Sequence, residues 1–231
     1  MIDIHCHILP GVDDDGAPDT ETSIAMARIA ANDGIHTIIA TPHLTSAAYP
    51  REKLIEAVAQ LNTALQQQSI PITILFGAEV QAHVALNVAD RFCLAESSFL
   101  LMEFPHSYLP ADARELISAL TTRSITPIIA HPERNIQIGR EPWQLNTLLE
   151  MGAKIQITAE SLTGNLGMAA KNCAEYLLRN EHVHYLATDS HAPGFRAPIL
   201  SKAVRHAAKI IGEEQAKKLV VAVGILPPLP A

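Results

Sequence analysis

Short runs of β-branched and apolar residues recur along the chain at fairly even spacing. They are Met1–His5, Ile35–Ala40, Ile70–Phe76, Phe99–Phe104, Ile125–Ala130, Lys154–Thr158 and His184–Thr188. Each has the length of an ordinary strand. Between them, apolar positions follow a helical period. Asp19–Asp33 places Ile24, Ala27 and Ala31 on one face, and Gly34 follows as a stop. Arg51–Gln67 repeats Leu54, Val58, Leu61 and Leu65, again a single face. Ala113–Thr122, Trp143–Met151 and Ala169–Arg179 read the same way, and Gly152 marks a second helix-to-strand junction. Thr37-Ile38-Ile39-Ala40 is nearly continuous in apolar character, as suits a strand covered on both faces. Strands alternating with helices predict a parallel sheet under helices. The expected fold is α/β, a distorted (β/α)7 TIM-like barrel in a single domain over residues 1–231, with an open doubly wound sheet as the alternative.

Composition narrows the function classes. The 231 residues carry 17 Lys+Arg against 24 Asp+Glu, a net charge of −7, with 48% apolar residues. That balance excludes a disordered chain and disfavours a general nucleic-acid binder. No stretch approaches the ~18 apolar residues of a membrane span, and Met1–His5 lacks the features of a secretory signal. Three widely spaced cysteines, Cys6, Cys93 and Cys173, fit a reducing cytoplasm without disulfides or a thiolate zinc site. The chain also contains 11 histidines, and many fall at strand ends.

Polar residues cluster at the C-terminal ends of the predicted strands. These are Asp3-Ile4-His5-Cys6-His7, Thr41-Pro42-His43, Gly77-Ala78-Glu79, Leu101-Met102-Glu103, His131-Pro132-Glu133-Arg134 and Thr188-Asp189-Ser190-His191. Sites in (β/α) barrels are built from those ends. His5 and His7 are two apart in an extended segment, so both face one way and Cys6 the other. The same argument applies to Asp189 and His191 if their path stays extended. Asp13-Asp14-Asp15-Gly16 supplies an acidic loop that can turn at least one carboxylate back to the site. The mixed imidazole and carboxylate set suits Mn, Fe or Zn better than a pure Mg or Ca site. There are more candidate ligands than one ion can use, so two or three ions are expected. Four carboxylates bring −4 and three divalent ions would bring +6, a net positive site suited to a phosphate anion. Arg134 and Arg196 add forks for bidentate phosphate binding. Together these features point to phosphoester hydrolysis.

The motifs, in this order and at this spacing over roughly residues 1–220, resemble the PHP (polymerase and histidinol phosphatase) superfamily, and the Val12-Asp13-Asp14 loop is similar to its CpsB/CapC-type branch. The resemblance implies a trinuclear site, usually Mn, with Fe, Zn or Mg as alternatives. It places the metal ligands at His5, His7, Asp14, His43, Glu79, Glu103, His131, Asp189 and His191, with Asp14 chosen from the triple Asp, and the substrate-binding arginines at Arg134 and Arg196. It implies a protein-tyrosine phosphatase acting on the phosphotyrosine tail of a bacterial tyrosine autokinase that controls capsule or exopolysaccharide synthesis. His43 or Asp189 is the expected proton donor. Relatives usually continue a helix where Gly224–Ala231 cannot, which leaves oligomerisation open. A small phosphomonoester such as histidinol phosphate is the alternative substrate, and a metal-bound protein that only docks a kinase tail is the alternative class.

Other signals read as structural. Cys173 and Arg179 match the C-x5-R spacing of cysteine phosphatases but fall inside a predicted helix. His182 and His184 copy the H-x-H spacing at the wrong end of a strand, and His106 divides evenly between substrate rim and plain surface. Glu133 is expected to pair with Arg134, and Asp3 to fix the tautomer of a ligand histidine.

Overall fold

The computed structural model describes residues 1–226. In chain order the elements begin with β1 (Ile2–Cys6), α1 (Thr20–Asn32), β2 (Thr37–Ala40), β3 (His43–Leu44), α2 (Arg51–Gln67), β4 (Thr73–Phe76), β5 (Glu79–Gln81) and α3 (Ala85–Phe92). They continue with β6 (Phe99–Glu103), α4 (Ala113–Thr122), β7 (Thr126–Ala130), α5 (Ile136–Arg140), α6 (Asn146–Glu150) and β8 (Lys154–Thr158). The last are α7 (Ala159–Thr163), α8 (Met168–Arg179), β9 (Tyr185–Ala187), α9 (Ser201–Ile211) and α10 (Glu213–Lys218). The strands pair in parallel in two ribbons, β1-β2-β4 and β3-β5-β6-β7-β8-β9.

Two predicted strands resume after a break just past their expected ends, and the breaks join the ribbons. β2 stops at Thr41-Pro42 and resumes as β3, because a proline has no N–H for a ladder. β4 stops at Gly77-Ala78 and resumes as β5. Gly77 is required there, since an added Cβ would lie 2.7 Å from Ile39 Cγ2 and 2.9 Å from Leu94 Cδ2. The seven expected passes are therefore present as nine strands. The circle closes where β9 runs past β1: Cys6 bridges Ser190, Asp189 N–H donates to His5 O (2.8 Å) and His7 N–H to Ser190 O (2.8 Å). Buried Asp3 secures this seam by accepting from Thr188 N–H (3.0 Å), from Thr188 Oγ1 and from the His5 N–H.

Ile2, Ile4, Leu101, Ile128, Ala130 and Ala187 form an apolar cluster with Ala222 and Ile225, and a larger core packs the helices outside. Residues 219–223 approach the strand starts, with Ile2 N–H on Val220 O and Tyr185 Oη donating to Val223 O. The C-terminal segment bears out the helix break at Gly224, where the backbone turns at φ 84° and Val223 bridges Leu226; the rest of that reading lies outside the described residues. The predicted helix Trp143–Met151 is instead a 3₁₀ turn, Pro142–Leu145, followed by α6. Helices α3, α5, α7, α9 and α10 have no counterpart in the sequence reading. The start of α9 owes its position to a distant residue. Asp33, past the end of α1, accepts from Leu200 N–H (2.7 Å), Ser201 N–H (2.8 Å) and Ser201 Oγ (2.5 Å).

Two outcomes are expected. Gly77→Ala forces the Ile39 and Leu94 side chains apart in a filled core, and should cost about 1–3 kcal/mol in a urea titration. His184 accepts from Ile155 N–H at Nδ1 (3.2 Å), and burial, aided by Lys154, pushes its pKa down to about 4. Its neutral form is favoured in the fold, so the contribution is complete above pH ~6.5 and is lost as pH falls towards 4. His184→Asn should therefore lose about 1 kcal/mol less than the native protein between pH 7 and pH 4.5, allowing for the part of the ring in water.

Candidate functional site

The strand ends converge on one mouth. Between Asp3 and Cys6 the pairing of β1 with β2 slips by one residue, a bulge that re-aims the strand. Beyond it Cys6 and Ile8 join the outer core while His5 and His7 face the mouth, both fully buried. His43 opens β3, Glu79 opens β5 beside it in register, and Glu103 ends β6. His131 follows β7 with φ 32°, and Asp189 follows β9 with φ 51°. These left-handed conformations are strained for side-chain-bearing residues and are held by the surrounding structure. The extended path assumed for Asp189 and His191 thus does not continue, yet both still reach the site.

Four ligand atoms stand close together at its centre. His5 Nε2 lies 3.2 Å from His7 Nε2 and 3.4 Å from both Glu79 Oε2 and Asp189 Oδ1. His7 Nε2 lies 3.5 Å from the same Glu79 oxygen and 3.4 Å from the same Asp189 oxygen. For the triad His5 Nε2, His7 Nε2 and Asp189 Oδ1, a point about 2.1 Å from all three atoms exists, a metal–ligand bond length. His131 Nε2 meets the other Glu79 oxygen at 2.8 Å. His43 Nδ1 approaches Glu79 Oε2 at 2.9 Å, and Glu103 stands with that pair. His7, Asp15, His43 and His191 form a further group. His43 Nδ1 and Glu79 Oε2 are buried and, although 2.9 Å apart, are not aligned as a hydrogen bond. The donor set, its spacing and these orphaned atoms fit more than one divalent cation.

Eight of the nine expected ligands join these groups; Asp14 does not. It is exposed, and Asp15 stands in its place. The cause is Asp13, which turns inward to accept from His43 N–H (2.8 Å) and from the His7 Nδ1–H (3.0 Å). Gly16 then lets the loop lie against β1, where an added Cβ would be 2.9 Å from His7 O. Asp3 meets no imidazole nitrogen, so its expected part in setting a tautomer belongs to others. His5 Nδ1–H donates to Gln156 Oε1 (2.9 Å) and His191 Nδ1–H to Asp189 O (2.9 Å), leaving each Nε2 free. Sequence reasoning missed Gln156 and Asp13 in these roles. A lone amide inside the apolar run Lys154–Thr158 is the signal that could have found the first.

Charge balances tightly here. Burial works against ionised Glu79 and Asp189, but the surrounding imidazoles outweigh it and hold both carboxylates well below their ordinary range. Burial likewise works against protonated His5 and His7, and the carboxylates outweigh it upwards. His191 is pushed down to about 4, by burial and then by His7. Arg134 and Arg196 both reach the mouth: Arg134 donates to Asp189 Oδ2, and Arg196 forms an ion pair with the same oxygen at 2.6 Å. With two guanidiniums on it, Asp189 is unsuited to the proton-donor role expected of it. Glu133 does not pair with Arg134: it turns inward and accepts from Thr158 N–H (2.9 Å).

The discounted signals stay outside the site. Cys173 is buried inside α8, its thiol pushed up to about 12 by burial and by Glu133, while Arg179 pairs with Glu175 at 2.7 Å. His184 serves the backbone of β8. No helix among the described residues is long and apolar enough to cross a membrane.

Comparisons with known proteins agree with this geometry. The chain is 42% identical to the tyrosine-protein phosphatase YwqE of Bacillus subtilis over 197 residues, 83% of this chain and 77% of that protein. It is 29% identical to the tyrosine-protein phosphatase CpsB of Streptococcus pneumoniae over 96% of this chain and 95% of that one. A crystal structure from the work on YwqE and CpsB, described as unique metal-dependent tyrosine phosphatases, superposes with a TM-score of 0.89 at 39% identity, covering 95% of this chain and 91% of that one. The organophosphorus hydrolase of Deinococcus radiodurans shares only the fold, with a TM-score of 0.60 at 14% identity over 95% of this chain and 90% of that one. Residues 1–224 match the family described as "Capsular polysaccharide synthesis, CpsB/CapC". Carrying that match over nearly its whole length, with the barrel and strand-end site to go with it, the chain belongs to the CpsB/CapC family.

Proposed function

We propose that this chain, acting as a single barrel domain, is a metal-dependent protein-tyrosine phosphatase whose substrate is the phosphotyrosine tail of a bacterial tyrosine autokinase governing capsule or exopolysaccharide synthesis. The observation that carries the reading is the convergence of Glu79 and Asp189 on the His5–His7 pair at 3.2–3.5 Å, with two arginines at the same mouth. Three cations would be held by His5, His7, Asp15, His43, Glu79, Glu103, His131, Asp189 and His191, with Mn the favoured ion. When bound, such cations polarise phosphoryl oxygens and make water a nucleophile at neutral pH. The chain's own residues do the rest. Arg134 and Arg196, already on one carboxylate oxygen, hold the non-bridging phosphate oxygens and orient phosphorus for in-line attack. Gln156 and Asp13 keep the His5 and His7 rings turned. His43 faces Glu79 with one nitrogen and Asp15 with the other, at 2.9 and 3.8 Å, so it serves as a ligand before it serves as an acid. A tyrosyl oxygen of pKa about 10 departs with less protonation than an alkoxide needs.

Chelation should abolish turnover of a phosphotyrosyl peptide, Mn should restore it, and thiol alkylation should leave it unchanged. Full activity in a chelated sample together with sensitivity to alkylation would overturn the reading in favour of Cys173. Turnover of histidinol phosphate well above that of the peptide would move the assignment to a small phosphomonoester. No phosphate release from either, with all metals loaded, would leave a docking protein. Arg134→Ala should lower kcat/KM by roughly 10²–10³-fold with metal content kept, whereas His131→Ala should lose metal by elemental analysis as well. Equal metal loss in both variants would refute that division of labour.

A further inference from the structure

A groove of about 930 Å³ opens beside the metal cluster. It lies between α3 and α4 and the segment that leaves β6. Glu103, Phe104 and His106 line it and also line a smaller cavity that reaches His131 and Arg134, so the groove is continuous with the mouth of the site. Its apolar wall includes Leu86, which is 42% exposed, and Tyr108, which is 54% exposed. Aromatic and aliphatic surface left open in this way is characteristic of a recognition face. The charge of the wall is one-sided. Glu103, Asp112 and Glu115 face the groove, and neither lysine nor arginine lines it. The other side of the mouth is the reverse, with Arg134 and Arg196 at Asp189.

From this juxtaposition we infer that the groove holds the polypeptide segment flanking the phosphotyrosine, and that it selects a segment carrying lysine or arginine. The inference rests on the phosphatase reading and adds a specificity to it. A phosphotyrosine presented on a chain must carry its neighbours somewhere. The groove that begins at Glu103 gives them an apolar bed for their side chains and carboxylates for their cations. Phosphate and flank have opposite charge, and the two sides of the mouth have opposite charge to match. An acidic flank would face Asp112 and Glu115 and be repelled. His106 thereby belongs to the substrate rim.

The test compares two phosphotyrosyl peptides of equal length on the Mn-loaded full chain, one with lysines and one with glutamates near the tyrosine, alongside free phosphotyrosine. The Lys-flanked peptide should have a kcat/KM about 3–10-fold above the Glu-flanked one, mostly through KM, with the ratio shrinking in high salt. The double variant Asp112→Lys, Glu115→Lys should erase or invert that ratio. Both residues are exposed, and Asp112 makes no side-chain cap bond to α4, so the helix is kept. Glu213→Lys with Glu214→Lys, on α10, changes net charge equally and should leave the ratio in place. Leu86→Ala should raise KM for both peptides together. Equal turnover of both peptides, or a ratio that follows net charge in the α10 variant, would overturn the groove while leaving the phosphatase intact. Absence of turnover on any phosphotyrosyl substrate would remove the phosphatase reading, and this inference with it.

Discussion

The structure depends on two carboxylates, Glu79 and Asp189, held ionised and nearly without water at the mouth of a barrel. An isolated buried charge costs far more than a fold can supply. Most of the elements that end at the mouth answer that cost with an imidazole or a guanidinium. His5 and His7 come from β1, His43 from β3, His131 from beyond β7, and the two arginines from the loops after β7 and β9. A site held by this much opposed charge is arranged in advance for divalent cations, because the ligand atoms already sit at the separation an ion requires.

The barrel is distorted for the same reason. A regular closed sheet would keep every side chain in strict alternation. The bulge in β1 lets Ile2 and Ile4 join the interior cluster and still brings His5 and His7 to the mouth. The breaks at Pro42 and Gly77 restart two strands at His43 and Glu79, side by side in register. Positive φ at His131, Asp189 and Arg196 turns three chain segments sharply into the site. Each departure from regular geometry falls where a functional side chain must be aimed, and Asp3 on Thr188 closes the seam on which that aim depends.

Charge also divides the mouth into two halves. The arginine side suits a phosphate, whose affinity for guanidinium is local and directional. The α3–α4 side is acidic and partly apolar, and suits the chain that carries the phosphate. One opening can therefore recognise both the modification and its carrier, without a moving part.

Much of this was legible in the residue order. Apolar runs and helical faces located the seven strand passes and helices such as Arg51–Gln67, because burial imposes a period that composition cannot hide. Histidines and carboxylates at strand ends located the site, because a parallel barrel delivers all those ends to one rim. The short helices α3, α5 and α7 were not legible, since five to eight residues carry too little periodicity. Nor was the choice among Asp13, Asp14 and Asp15, which turns on how one loop packs against His7. Asp189 meets Arg134, Asp33 meets Leu200 and Glu133 meets Thr158 across 55, 167 and 25 residues of chain. The sequence alone determined the class of fold and the chemistry of the site, because both follow from local pattern and residue type. Which carboxylate faces in, which nitrogen is left free and which acid meets which arginine were decided only by tertiary structure, because hydrogen-bond geometry exists only once distant segments are packed together.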